Sequence, residues 1–154
     1  MDKLKYLHDE ISSLKINELP KSIQDLANIV GAPKAFKYAY KFGGVTLCFR
    51  AWNDEASAWE KDTKDLVRVV GIEHAKAFVV LFYGYRLKIP TCEILTKRLT
   101  GRQVAKERRE FGIPNAVLAR KFNLDERRIY QITSADRKAR GLPRSRYAAK
   151  PERK

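Results

Sequence analysis

Apolar side chains at Leu4, Leu7, Ile11 and Leu14 recur at the spacing of one helix face, which predicts an amphipathic helix over residues 3–14. The stripe is narrow and suits packing against a partner helix or a second subunit. A second helix is predicted over 19–30; it presents Ile23, Leu26, Ala27 and Val30 and stops at Gly31. The next pattern occurs twice. Val30-Gly31, Ala35, Ala39, Phe42, Gly44 and Leu47 reappear forty residues later as Val70-Gly71, Ala75, Val79, Phe82, Gly84 and Leu87. Each copy reads as a helix ending at Val-Gly, a new helix, a glycine stop and a short strand. The strands, 45–49 and 85–89, alternate with period two, as a strand with one buried face does. Two copies are too few for a solenoid. Either the two strands form a small sheet together or they pair with counterparts in a second subunit. A two-stranded ribbon needs helix packing or dimerisation to support it.

Beyond Thr91, Ile94, Leu95, Leu99, Val104 and Ala105 mark an amphipathic helix that Gly101 is expected to break or bend. Residues 101–111 then form the helix before the most informative stretch, 115–134, with Gly112 closing it and Pro114 starting the next. In that stretch, NAVLARKFNLDERRIYQITS, apolar and small residues fall where two short helices crossing through a tight turn must touch. Leu118, Ala119 and Phe122 share a face of the first helix, Leu124 sits in the turn, and Ile129 and Ile132 face back from the second. Ala119 marks the closest approach. Asn123 tolerates the left-handed conformation such a turn requires, and Asp125 can cap the following helix. The pattern is that of a helix-turn-helix, whose second helix normally enters the DNA major groove.

Charge sharpens this picture. The formal net charge is +14, but residues 1–96 hold 14 Lys and Arg against 12 Asp and Glu (+2), whereas residues 97–154 hold 18 against 6 (+12). Positive charge gathered on the third of the chain that carries the two-helix pattern is the footprint of a phosphate-binding surface. With 44% apolar residues the chain can bury a core. Its longest apolar run, 77–85, is far too short to span a bilayer, and the N-terminus lacks the apolar core of a signal peptide. Cys48 and Cys92 are expected to be free buried thiols of a reducing cytoplasm.

On the second helix of the motif, Glu126, Arg127, Arg128, Tyr130, Gln131 and Ser134 point outward. Arg and Gln suit bidentate readout of guanine and adenine edges, so Arg127, Tyr130 and Gln131 are the expected base readers, with Arg128 less fixed in direction. Asn115, Arg120, Lys121, Arg137 and Lys138 are the expected phosphate contacts, which position without specifying. Asp125 and Glu126 serve the cap and the helix dipole. Arg86 and Lys88, on the outward face of the second strand, more commonly block edge aggregation and alternatively contact phosphate.

The units VGAPKAFKYAYKFGG and VGIEHAKAFVVLFYGYRLKIP, followed by GRQVAKERREFGIPNAVLARKFNLDERRIYQI, resemble the Mor transcription activator family of Mu-like bacteriophages, over residues 19–132. The resemblance implies a homodimer built by an N-terminal helical region with short strands, and a C-terminal helix-turn-helix in each subunit. It further implies activation of phage promoters through contacts with host RNA polymerase, in the bacterial cytoplasm. The chain departs from the family where Tyr83-Gly84 replaces Gly-Gly and where the first strand ends Phe49-Arg50 rather than Ile-Pro. A strand flexibility attributed to paired glycines does not extend to the second copy.

The expected fold is mainly α with a small β element. A helical dimerisation region with two strands spans 1–90, a helix-turn-helix domain 91–136 and a basic flexible tail 137–154. The expected partner is double-stranded DNA, with no membrane, cofactor or metal. His8 and His74 stand alone, and no phosphate loop, carboxylate pair or HExxH appears, so an enzyme is not expected. The aromatics Phe36, Tyr38, Tyr40, Phe78, Phe82 and Tyr83 read as core. The rival readings are a non-sequence-specific nucleic-acid-binding or architectural protein and, more remotely, a recombinase with a helix-turn-helix tail.

Overall fold

A computed structural model of the chain describes residues 3–142. It is mainly helical with one two-stranded antiparallel sheet. The chain divides into two compact units: Asp9–Lys97, and the described residues of Met1–His8 with those of Arg98–Lys154. The division differs from the boundary expected at residues 90–91. It falls inside a helix, because the turn after Pro90 leads directly into one.

The segment expected as a helix over 3–14 is in two pieces and crosses the boundary of the Asp9–Lys97 unit. A 3-10 helix, Lys3–Leu7, belongs to the other unit, and α1 (His8–Ser12) follows it. The duplicated pattern is realised as α2 (Lys21–Val30), α3 (Ala32–Phe42) and β1 (Thr46–Cys48), then α4 (Lys61–Val70), α5 (Ile72–Phe82) and β2 (Arg86–Lys88). Gly31 and Gly71 separate the helices of each copy at φ 89° and 90°, a left-handed value that glycine adopts without steric cost. Their amides donate to Ala27 O and Val67 O, both at 2.8 Å. The copies match inside as well: Leu26 and Leu66, Ala35 and Ala75, and Ala39 and Val79 are all buried.

The two copies pack against each other. α3 contacts α4, and α2 contacts α5. β1 pairs with β2 in the register Thr46–Lys88, Leu47–Leu87 and Cys48–Arg86. Phe49 meets Phe78 edge to face at 5.9 Å. The strands therefore pair within one chain. Between the copies, the Trp52 and Trp59 rings lie 5.1 Å apart, and Arg50 reaches Glu60 at 2.9 Å.

The outward residues of this unit correct two expectations. Cys48 is exposed, because the strand's alternation turns Leu47 inward and its neighbours outward; Cys92 is buried and both thiols are free. Tyr83 is exposed, because α5 ends at Phe82 and the chain has left the helix face. Tyr38, buried, has its phenol pushed far above its usual value by burial, with the charges of Asp62 and Asp65 adding to the effect.

α6 (Glu93–Phe111), whose residues from Arg98 onward belong to the other unit, runs unbroken through Gly101, so the expected break is absent. Arg98 and Leu99 before the glycine and Arg102 and Gln103 after it are good helix formers, and one helical Gly costs only about 1 kcal/mol relative to Ala. α7 (Asn115–Phe122) and α8 (Glu126–Ala139) complete this unit. Because α8 reaches Ala139, Arg137 and Lys138 are helical rather than the start of a tail; residues 143–154 of that tail lie outside the described residues.

Candidate nucleic-acid interface

α7 and α8 are joined through Asn123, Leu124 and Asp125. Asn123 takes φ 52° and ψ 50°, the left-handed conformation, and its amide donates back to Ala119 O and Arg120 O. Leu124 N donates to Ala119 O at 2.9 Å, which closes the end of α7. The Asp125 carboxylate accepts from Arg128 N at 2.8 Å and caps α8. Leu118, Ala119, Phe122 and Ile129 are buried, while Leu124 and Ile132 are half-buried. This apolar seam decides which side of α8 is turned to solvent.

The exposed side of α8 carries Arg127, Arg128, Tyr130, Gln131 and Lys138. Arg128 donates from Nη1 to Gln131 Oε1 at 3.3 Å, so guanidinium and amide form a joined donor surface one turn apart. Ser134, expected outward, is half-buried, as is Arg137, since both lie toward the side that meets the rest of the unit. Arg120 is exposed near the end of α7, and Asn115 is half-buried at its start.

Lys121 differs most from its expected role. Its Nζ lies 2.7 Å from Glu107 Oε1 on α6, and Gln103 Nε2 donates to the same oxygen at 3.0 Å. The ammonium also lies over the Tyr6 ring at 5.1 Å and the Phe122 ring at 5.5 Å. It neutralises a buried carboxylate instead of standing free for a phosphate. Arg86 and Lys88 are exposed on β2, in the Asp9–Lys97 unit, beside Cys48 and Thr46 on the solvent face of the ribbon.

The structure adds cations that the pattern reading passed over. A concavity of about 1330 Å³ between the end of α6 and α8 is bordered by Arg108, Arg109, Tyr130, Lys138 and Arg140, among others. Arg108 donates to Ile113 O at 2.9 Å and to Gly112 O at 3.3 Å, which holds the turn between α6 and α7. Asp136 receives Arg109 at 3.4 Å and Arg140 at 3.0 Å. The Arg108-Arg109 pair one turn before Gly112 was the available signal.

Such a surface offers fixed donors at the spacing of one helix face; Asp136 is paired with two arginines, and Glu126 lies exposed in the first turn of α8. Comparison with family models, with curated proteins and with solved structures found no match to the chain. Among the described residues no helix is long and apolar enough to cross a membrane, and no three His, Cys, Asp or Glu side chains converge as a metal site requires.

Proposed function

We propose that the chain is a sequence-specific DNA-binding transcription regulator of phage or prophage type, acting in the bacterial cytoplasm with α7, the Asn123 turn and α8 as a helix-turn-helix. The observation that carries this reading is the exposed face of α8, where Arg127, Arg128 and Gln131 stand on a helix fixed by the Asp125 cap. In the major groove those side chains read base edges, while Arg120 and Lys138 contact phosphates. Recruitment of host RNA polymerase, hence activation, rests on the resemblance to the Mor family alone. The homodimer that the resemblance implies is not needed to form the ribbon, since β1 and β2 satisfy each other within one chain.

Selection of binding sequences from randomised duplex DNA, followed by competition at physiological salt, tests the proposal. The expected result is an enriched sequence bound at least about 10³-fold more tightly than random DNA. Equal affinity for both would replace it with the architectural reading, in which the basic charge binds without readout.

A further inference from the structure

The pairing of β1 with β2 has a two-fold form. Leu47 faces Leu87, and these are the same position in the two copies, forty residues apart. Thr46 faces Lys88, and moving each residue to its equivalent in the other copy gives Arg86 facing Cys48, the third pair of the ladder. Hydrogen bonds beyond the ladder obey the same exchange: Gly44 N donates to Ile89 O at 2.8 Å, and Gly84 N donates to Phe49 O at 3.0 Å. So do the helices, because exchanging copies turns the α3–α4 contact into the α5–α2 contact. Reciprocity of this kind defines an isologous dimer interface, in which residue i meets j and j meets i. Here both halves belong to one chain.

We infer that the Asp9–Lys97 unit is a dimer fused into a single chain, and that the protein is a monomer that reads an undivided, non-palindromic DNA site. The second half of the inference rests on the DNA-binding reading above. Fusion makes the pairing intramolecular: residues 50–60 link the copies, and a short linker sets an effective concentration on the order of millimolar. That exceeds any micromolar supply of a second chain. The linker is also held in place by the Trp52–Trp59 contact and by Trp59 Nε1 donating to Asn53 O at 2.6 Å, which opposes opening into a swapped dimer. Among the described residues the α7–α8 pair occurs once, so the duplication of the core is not matched by a second reading helix. A palindromic operator needs two such helices one DNA turn apart.

The two-fold fails on the outer face of α5. Leu81 is 63% exposed where copy one carries Lys41, and Val80 and Ile72 are exposed where copy one has the half-buried Tyr40 and the buried Ala32. Leu81 is the most exposed of the three, so it is the position at which association of whole chains is tested.

Light scattering on the purified full chain at micromolar concentration tests the first half. The expected mass is 17.8 kDa, unchanged by Leu81→Lys. A doubled mass, whether or not Leu81→Lys halves it again, overturns the inference. Arg86→Cys gives an independent test, because it places a second thiol opposite exposed Cys48 across the ribbon. Mild oxidation is expected to consume both thiols with no covalent dimer beyond that of the wild type. A disulfide-linked dimer in this variant alone would show that the strands pair between chains. For the second half, titration of the selected duplex is expected to end at one chain per site, with no inverted repeat in the selected sequence. Two chains per site, or an inverted repeat, overturns it. A monomer that crosslinks within the chain but shows no preference among duplexes would remove the regulator reading and leave the fused dimer standing.

Discussion

Lys121 lies 2.7 Å from the carboxylate of Glu107, whose side chain is only 6% exposed. An unpaired charge at that burial is costly, and removing one partner of a buried pair is far worse than replacing both. Because Lys121 is itself about one-third exposed, the expected loss for Lys121→Met is about 2–3 kcal/mol, below the roughly 3–5 kcal/mol of a fully buried pair. The double variant Glu107→Leu/Lys121→Met is expected to recover most of it. Thermal denaturation of the four proteins of this cycle measures the coupling. A stable Lys121→Met whose DNA binding loses salt dependence would instead place Lys121 on phosphate.

Under the proposed DNA-binding role, side chains on α8 are expected to divide by what their loss does to specificity. Arg127→Ala and Gln131→Ala are expected to cost about 1–3 kcal/mol on the selected site and much less on random DNA. Lys138→Ala is expected to weaken both duplexes alike and to reduce the salt slope by about 1. Binding isotherms across a range of salt concentration separate the two behaviours. Gln131 is also the acceptor of Arg128, so the Arg128→Ala and Gln131→Ala effects are expected to be less than additive.

At the turn, Asp125→Ala removes the acceptor of Arg128 N and is expected to cost about 1 kcal/mol, with Asp125→Asn nearly neutral. Asn123→Gly keeps the left-handed turn and is tolerated, whereas Asn123→Val forces a β-branched residue to φ 52° and is expected to cost more than the cap. Urea denaturation orders the four variants.

These local features were legible in the sequence because each depends on a few adjacent residues. Asn123 and Asp125 announce their conformations by chemistry, and the Val-Gly boundaries and period-two strands announce theirs by pattern. What escaped depended on residues distant along the chain. Nothing near Lys121 names Glu107 as its partner, fourteen residues upstream on another helix. The two strands looked the same whether they paired together or across subunits; only the folded chain, in which β1 bonds to β2, distinguishes the cases. The length of α8 escaped for a different reason: its last turn is polar, and its support is the Asp136–Arg140 pair rather than an apolar stripe.

Burial pushes the Cys92 thiol up from its usual value of 9 to about 11. Between those values the unfolded thiol ionises while the folded one stays protonated, so the unfolded state binds fewer protons and stability falls as pH rises. Cys92→Ala is expected to lose this contribution and to show a shallower alkaline decline from pH 9 to 11. Tyr38, raised by burial, keeps its own decline at higher pH in both proteins. Thiol labelling at pH 8 supplies the companion measurement: exposed Cys48 reacts in the folded protein, and Cys92 reacts only after denaturant is added.

Two glycines predict opposite signs for the same substitution. A Cβ on Gly43 would stand 2.3 Å from Pro90 O, 2.4 Å from Ala39 O and 2.8 Å from Thr91 Cα, all backbone atoms that cannot swing away. Gly43 is not in the left-handed region, so the demand there is for space alone, where α3 ends against the segment after β2. Copy two carries exposed Tyr83 at the equivalent position, which shows that the glycine answers a contact made only by copy one. Gly101, in contrast, is helical, and a methyl group added there would meet no atom within 4 Å. Gly43→Ala is therefore expected to destabilise by about 3 kcal/mol or more, the range of severe overpacking, whereas Gly101→Ala is expected to stabilise by about 0.5–1 kcal/mol through reduced unfolded-state entropy. Thermal melts of the two single variants check both signs, and Tyr83→Gly, expected to leave the core intact, shows whether the crowding belongs to copy one.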